Sequence, residues 1–234
     1  MSRAWPKPHR RLNRRRRGFV VAILGPDGAG KGTMIRELGR RLPGRVSALY
    51  LGSPEGHSRF DYASRAALPP SGTRAILRRG LAAFERALAA SDSLPRRLLG
   101  ATYRILQALW GALRVLPASA RAWRGEVVLC DRHPLEQLIV GEPASPALVT
   151  SERIVLTRIL PWPDVVVVLD APAEVLFARK GEHSAATLEA WRQRYRDVLV
   201  PRGGVVVSTD APVEVSAAQV EAVIRERIRS PSGP

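Results

Sequence analysis

The chain has 234 residues, of which 45% are hydrophobic and 25% are charged, and its formal net charge is +16. This composition is ordinary for a globular protein and predicts one domain with a sizeable core. The single cysteine, Cys130, excludes an internal disulfide and suits a reducing cytoplasm. The longest uncharged stretches, near residues 105–113 and 165–169, are much shorter than the roughly 20 apolar residues that cross a bilayer. We therefore expect a cytoplasmic protein.

The first 17 residues are the most basic part of the sequence. They contain no acid and eight positive charges, at Arg3, Lys7, Arg10, Arg11 and Arg14–Arg17. Because such a segment cannot bury enough surface to fold, we predict a disordered basic arm over 1–17. The arm is either a solvated tail, an extension upstream of the true start, or a means of electrostatic attachment to nucleic acid or to an anionic membrane surface.

Beyond the arm, short β-branched runs alternate with helical stretches, which is typical of a parallel sheet with helices on both faces. The predicted strands are Gly18–Leu24, Arg45–Leu51, Glu126–Cys130, Asp164–Leu169 and Val205–Ser208. The predicted helices are Lys31–Leu42, Thr73–Ala90, Arg96–Leu116, Ser151–Leu160, Ala173–Arg179, Ala185–Leu199 and Val213–Arg229. We expect one three-layer α/β domain over 18–229 with a five-stranded parallel sheet, followed by a frayed tail over 230–234.

A glycine-rich segment follows the first predicted strand and opens the first predicted helix. It consists of Gly25, Pro26, Asp27, Gly28, Ala29, Gly30, Lys31, Gly32 and Thr33. Backbone N–H groups and a helix N-terminus bind phosphate in this context, and Lys31 is placed to reach the β- and γ-phosphates of a nucleoside triphosphate. The hydroxyl for magnesium stands one residue late, at Thr33, and this Gly-Lys-Gly-Thr ending resembles the loop of adenylate kinases. We predict a P-loop; the alternative is an ordinary glycine-rich turn.

Two predicted strands are followed by an aspartate. One strand precedes Asp131 and Arg132, and the other precedes Asp170. Ligands of open α/β sheets bind at the carboxyl ends of the strands, so either aspartate could serve a magnesium ion. We favour Asp131, because Arg132 beside it can clamp an anionic acceptor bidentately. We interpret Asp170 mainly as a structural cap of the next helix, and we expect no metal ligation by His133.

The predicted helix Arg96–Leu116 carries an apolar stripe at helical spacing. The stripe consists of Leu98, Leu99, Thr102, Ile105, Leu106, Leu109 and Leu113. We expect the stripe to pack against the sheet, and the alternatives are a membrane-surface helix and a homodimer interface.

Together these motifs resemble those of thymidylate kinases and the wider thymidylate kinase-like group of P-loop kinases. The resemblance extends from Gly18 to about Arg229. Its parts are the loop Gly25–Thr33, the triplet Asp131-Arg132-His133, the stretch Leu169–Glu174, the segment Ala178–Ser184 at the place of the mobile lid, and Leu188–Tyr195.

The resemblance implies an enzyme that uses ATP and Mg²⁺ and has a short lid over about 179–187. It implies that Asp27 hydrogen-bonds a sugar hydroxyl of a nucleotide acceptor and that Arg132 holds the acceptor phosphate. Arg179 would lie over the adenine or reach the phosphates. Arg179 and Lys180 would supply the cation that the transferring phosphoryl group needs. The nearby arginines of the last motif are either reserve cations or a solvated helix face; they are Arg192, Arg194 and Arg196.

The acceptor-side segments differ from those of thymidylate kinases. The stretch Gly52–Gly56 lacks the arginine that the family carries after its second strand, and Pro134–Ile139 replaces the pattern that reads thymine. The sequence therefore predicts transfer of the γ-phosphoryl of Mg-ATP to a nucleoside monophosphate, dTMP or a related one, or to another phosphorylated small molecule. The competing interpretation is a nucleotide-dependent switch or ATPase accessory protein that docks on an anionic membrane or nucleic acid through its basic arm.

Overall fold

The computed structural model describes residues 18–52, 94–136, 139 and 160–229. The predicted arm over 1–17, the predicted helix Thr73–Ala90 and the predicted tail over 230–234 lie outside these residues. The predicted helix Ser151–Leu160 also lies outside them, apart from its last residue.

Five strands and five helices make up the regular structure of the described residues. The strands are β1 (Phe19–Leu24), β2 (Val46–Tyr50), β3 (Val127–Asp131), β4 (Val165–Asp170) and β5 (Val205–Ser208). The helices are α1 (Lys31–Arg41), α2 (Leu94–Trp123), α3 (Ala173–Lys180), α4 (Ala185–Leu199) and α5 (Val213–Arg229). Single turns of 3-10 helix, Pro134–Glu136 and Val200–Arg202, follow β3 and α4. None of the helices in this part of the chain combines the length and the apolar character that a bilayer crossing requires.

The five strands form one parallel sheet in the order β2-β3-β1-β4-β5. The strands β1, β3 and β4 are almost wholly apolar and buried, as expected where helices cover both faces of a parallel sheet. β1 lies between β3 and β4, with Ile23 paired to Asp131 and Leu24 paired to Val168. The segment that leaves β1 therefore starts between the carboxyl ends of β3 and β4, and each of these two strands ends in an aspartate.

Side chains of β1 alternate between two apolar cores, one on each face of the sheet. Ala22 and Leu24 face the core that α2 and the C-terminal half of α4 cover. Val21 and Ile23 face the core that α1 and α5 cover. The predicted α/β class, with a five-stranded parallel sheet between helices, is confirmed.

The helix α2 continues past its predicted end, through Pro117, to Trp123. A proline inside a helix removes one backbone hydrogen bond, here the bond to the carbonyl of Leu113, and its ring crowds that carbonyl. Leu113 and Pro117 are both exposed, so water can satisfy this carbonyl. Beyond the proline, Ala118 and Ala122 are buried in the core, and their packing favours continuation of the helix.

The apolar stripe that we expected to pack on the sheet lies partly on the outer side of α2. Leu106 and Leu113 are exposed, and Leu109 is half-buried against the core. The residues that α2 buries are mostly small, namely Gly111, Ala112, Val115, Ala118, Ser119 and Ala122. The prediction was wrong for Leu106 and Leu113, because two apolar faces of one helix repeat at the same spacing and spacing alone does not say which face meets the sheet.

Candidate phosphate-binding site

The glycine-rich loop occupies residues 25–30, between the end of β1 and the start of α1. Gly25 has φ 142°, and a Cβ atom there would lie 2.3 Å from the carbonyl oxygen of Leu169. Gly28 has φ 88°, and a Cβ atom there would lie 2.6 Å from the carbonyl oxygen of Leu176. The loop therefore needs glycine at both positions, because it adopts left-handed backbone and lies directly against the backbone of β4 and α3.

Lys31 is the first residue of α1, and its side chain folds back over the loop. The buried ammonium donates hydrogen bonds to the carbonyl oxygens of Gly25 at 2.7 Å and Pro26 at 3.0 Å. Burial holds the pKa of Lys31 below its ordinary value, although the nearby carboxylates of Glu136 and Asp131 favour the charged form. A phosphate oxygen accepts a stronger hydrogen bond from an ammonium than a neutral carbonyl does, so an anion at the loop can take over these contacts.

The Asp27 carboxylate lies at the centre of a group of basic side chains. Its Oδ1 atom is 2.6 Å from Arg132 Nη2, 3.5 Å from Lys180 Nζ and 3.9 Å from Lys31 Nζ. Its Oδ2 atom is 3.7 Å from His183 Nε2. Burial raises the pKa of Asp27, but the positive charges of Lys31, Arg132 and Lys180 outweigh it and hold the pKa below its ordinary value. One carboxylate thus joins cations from the loop, the end of β3 and the end of α3.

Arg132 follows β3 with a φ of 64°, a left-handed conformation that is uncommon for a residue other than glycine. Its guanidinium lies between two carboxylates, with Nη2 on Asp27 and Nη1 3.1 Å from Glu136 Oε2. Burial lowers the pKa of Arg132, but Glu136 and Asp27 outweigh it and the pKa is raised. The hydroxyl of Tyr195 donates to Glu136 Oε1 at 2.9 Å. Glu136 and Tyr195 are site residues that the sequence did not point out, although the spacing of Glu136 four residues after Arg132 was a usable signal.

The segment after β2 packs against the stem of Arg132. A Cβ atom on Gly52 would lie 2.4 Å from the hydroxyl oxygen of Tyr50 and 2.5 Å from Arg132 Cδ. Arg114 of α2 donates a hydrogen bond to the carbonyl oxygen of Gly52. This close packing limits the positions that the Arg132 side chain can take.

The predicted metal ligands, Asp131 and Thr33, occupy different environments. Asp131 is buried at the end of β3, in register with Ile23 of β1, and its charge favours the ammonium of Lys31. Thr33 is exposed on the first turn of α1. A carboxylate and a hydroxyl are oxygen ligands of the kind that fits Mg²⁺, which keeps several waters and takes few ligands from protein.

A second group of metal-binding atoms occurs in the described residues, formed by Asp27, Glu182 and His183 within 4.8 Å of one another. Lys180 Nζ lies 3.5 Å from Asp27 and 2.9 Å from Glu182. This ammonium already pairs with both carboxylates and its positive charge repels a cation, so the group does not favour a metal ion.

The predicted lid residues Arg179 and Lys180 point to different places. Arg179 donates to the carbonyl oxygen of Thr209 at 2.8 Å and contacts the Thr209 hydroxyl at 3.4 Å, just beyond β5. Lys180 instead joins the basic group around Asp27. In this structure, residues 179–187 are the end of α3, a turn at Gly181 and the start of α4.

Asp170 does not cap α3, and this prediction was wrong. The N-cap residue of α3 is Pro172, which makes no side-chain cap hydrogen bond. The Asp170 carboxylate instead accepts from Arg192 Nε at 2.7 Å and from Arg196 Nη2 at 2.5 Å. Burial raises the pKa of Asp170, but the hydrogen bonds from these two arginines outweigh it and the pKa is lowered. Arg194, the third arginine of this helix, contacts a backbone carbonyl elsewhere.

His133 is buried beside the site in its neutral form. Its Nδ1 atom accepts a hydrogen bond from the backbone N–H of Leu135 at 3.3 Å, and Nε2 has no hydrogen-bond partner among the residues that the structure describes. Burial lowers the pKa of His133 to about 3. The imidazole therefore adds no charge to the neighbourhood of Arg132 near neutral pH.

Comparison with known proteins does not identify the chain. No protein-family model matches the sequence, and no curated protein matches it. The resemblance to thymidylate kinase-like proteins therefore rests on the motifs described above.

Proposed function

We propose that the chain is a cytoplasmic P-loop kinase of the thymidylate kinase-like group. It transfers the γ-phosphoryl of Mg-ATP to a nucleoside monophosphate, dTMP or a related one, or to another phosphorylated small molecule. The observation that supports this best is the convergence of Arg132 and Lys180 on Asp27, inside the loop that Lys31 closes. Three cations that surround one loop carboxylate are suited to bring two anionic reactants together.

The donor side of the proposal concerns the loop and α1. The backbone N–H groups of residues 25–30 and the N-terminus of α1 bind the triphosphate, and the Lys31 ammonium moves from the loop carbonyls to the β- and γ-phosphates. Thr33 and Asp131 would hold Mg²⁺, which neutralises charge on the phosphate oxygens.

The acceptor side concerns Arg132 and Asp27. The planar guanidinium of Arg132 matches the geometry of a monophosphate, and its ion pair with Asp27 holds it next to the loop. When an acceptor phosphate binds Arg132, the Asp27 carboxylate is free to accept a hydrogen bond from a sugar hydroxyl. Glu136 would keep the guanidinium in place during this exchange, because it accepts from the other terminal nitrogen, Nη1, and Tyr195 in turn donates to Glu136.

Phosphoryl transfer asks the protein mainly for positioning and for charge stabilisation. The ammonium groups of Lys31 and Lys180 lie 3.9 Å and 3.5 Å from Asp27 Oδ1, and both would approach the transferring phosphoryl group. Arg179 donates to Thr209, just beyond β5, and in this proposal it would meet the adenine rather than the transferring group. The short turn between α3 and α4 would close over the reactants and exclude water.

The test is a coupled ADP-release assay with Mg-ATP and a panel of nucleoside monophosphates and sugar phosphates. The proposal expects a rate that depends on one acceptor, and expects equal amounts of ADP and phosphorylated acceptor. A slow ADP release that no acceptor changes would instead identify a nucleotide switch or an ATPase accessory protein.

A further inference from the structure

One face of α2 is exposed and apolar over about five turns. Its large side chains are Leu106 (59% exposed), Trp110 (61%), Leu113 (55%), Leu116 (50%) and Trp123 (55%). Among the described side chains from Leu106 to Trp123, the remaining exposed ones are Pro117 and Ala120, which are also uncharged. Single exposed apolar residues are ordinary on a protein surface, whereas a contiguous apolar stripe indicates a site of interaction.

The opposite face of α2 is buried in the core of the domain. Ala112, Val115, Ala118 and Ala122 pack there against the sheet. The helix is therefore held by the domain and can present only its outer side to a partner. That side is about 26 Å long from Leu106 to Trp123, at 1.5 Å for each residue, which suits a helix that lies in the plane of an interface.

We infer that this face docks on the surface of an anionic phospholipid bilayer. The charge of the chain favours this occupant over a second copy of the chain. With a net charge of +16, two copies repel each other, whereas an anionic bilayer attracts the protein. Half of this charge, eight positive residues, lies within residues 1–17, and these residues add electrostatic attraction to the insertion of the apolar face.

The side chains of the face also suit a bilayer surface. Trp110 and Trp123 combine a large apolar ring with an N–H donor, and tryptophan is favoured at the level of lipid headgroups for this reason. Arg124 is exposed directly after the apolar stripe, and its guanidinium can bind a lipid phosphate. Leucine and tryptophan on one side, with arginine at the margin, are the composition of an interfacial helix.

The test is cosedimentation of the full chain with vesicles of phosphatidylcholine, either alone or with about 30% phosphatidylserine. The main variant is Leu113→Glu, and Trp110→Ser is a second variant that introduces no charge. The matched control is Val215→Glu, because Val215 is also exposed (49%) but lies on α5, on the other face of the sheet. The melting temperature of each variant is measured to verify that it is folded.

We expect the parent chain to bind the anionic vesicles more strongly than the neutral ones. Leu113→Glu and Trp110→Ser should each lower the partition coefficient roughly tenfold, because each removes a large apolar group from the membrane contact. Val215→Glu should change it by less than about twofold, since its charge lies far from the bilayer. Equal partition of Leu113→Glu and Val215→Glu overturns the inference, and so does equal binding to neutral and anionic vesicles. A parent dimer that Leu113→Glu converts to a monomer would assign the face to a second copy.

Discussion

Arg132 and Asp27 form an ion pair of 2.6 Å across 105 positions of sequence. The pair connects the loop after β1 with the end of β3, two strands that lie side by side in the sheet. In the proposed kinase, the Asp27 carboxylate binds the Arg132 guanidinium until an acceptor phosphate replaces the carboxylate. Acceptor binding is thus an exchange of one anion for another, which does not leave the half-buried arginine without a partner.

The first prediction concerns the division of the site between donor and acceptor. Arg132→Ala should weaken acceptor affinity by at least tenfold and leave ATP affinity nearly unchanged, because charge-assisted bidentate hydrogen bonds are lost on one side only. Asp27→Asn should cause a smaller loss of acceptor affinity, since a neutral amide can still bind a hydroxyl. Isothermal titration of each variant with ATP and with acceptor measures the two affinities, and Arg194→Ala serves as the control. Loss of ATP binding in Arg132→Ala would place this arginine on the donor side.

The second prediction concerns the packing behind Arg132. Gly52→Ala should raise the KM for the acceptor severalfold, because a methyl group 2.5 Å from Arg132 Cδ must displace that side chain. The matched control is Gly39→Ala in α1, where a Cβ atom meets nothing within 4 Å. That change should raise the free energy of unfolding by about 0.5–1 kcal/mol, as alanine favours a helix interior over glycine. Steady-state kinetics measures the KM. An unchanged acceptor KM in Gly52→Ala would show that the packing of Gly52 does not position Arg132 for the acceptor.

The third prediction concerns His133 and acid. The folded chain holds His133 neutral down to about pH 3, whereas the ordinary pKa is 6.5. Below pH 6.5 the unfolded chain therefore binds one more proton than the folded chain. The contribution of neutral His133 to the free energy of unfolding is fully present above pH 6.5 and is lost as the pH falls toward 3. Within this range, the free energy of unfolding should fall by about 1.4 kcal/mol for each pH unit.

Urea unfolding of the parent and of His133→Leu at several pH values tests this effect. The variant should lack the decline between about pH 6 and about pH 4.5, whatever its absolute stability. The lowered pKa values of Asp27 and Asp170 add to acid unfolding mainly near and below their ordinary value of 3.8. Parallel curves for the parent and the variant would mean that the pKa of His133 is the same in the folded and the unfolded chain.

The sheet was predictable because buried parallel strands leave a strong signal in sequence. The predicted strand Val205–Ser208 agrees with β5 at both ends, and β1 begins one residue later than predicted. The helix α2 was predicted to end near its proline, since local sequence does not show that the small residues beyond Pro117 pack on the sheet. That burial is a tertiary effect.

The residues of the site were partly predictable for a similar reason. The loop and Arg132 belong to short motifs, and the topology of the sheet brings them together. Tyr195 of α4 reaches Glu136 across 59 positions, and Arg192 and Arg196 of the same helix reach Asp170 at the end of β4. No local pattern records which helix packs beside a given strand, so these partners emerge only from the fold.

The central claim is that the loop binds the phosphates of ATP for transfer, and Lys31→Ala tests it most directly. The control is Arg40→Ala, which removes one positive charge from an exposed position of the same helix. With Mg-ATP and an acceptor, acceptor-dependent turnover should fall by roughly 10²–10³ in Lys31→Ala, as expected when one preorganised charge is lost from the transition state. Arg40→Ala should keep the turnover of the parent chain, and both variants should show a cooperative thermal unfolding transition. Full acceptor-dependent turnover in a folded Lys31→Ala variant would contradict the phosphate-loop assignment and the kinase proposal with it.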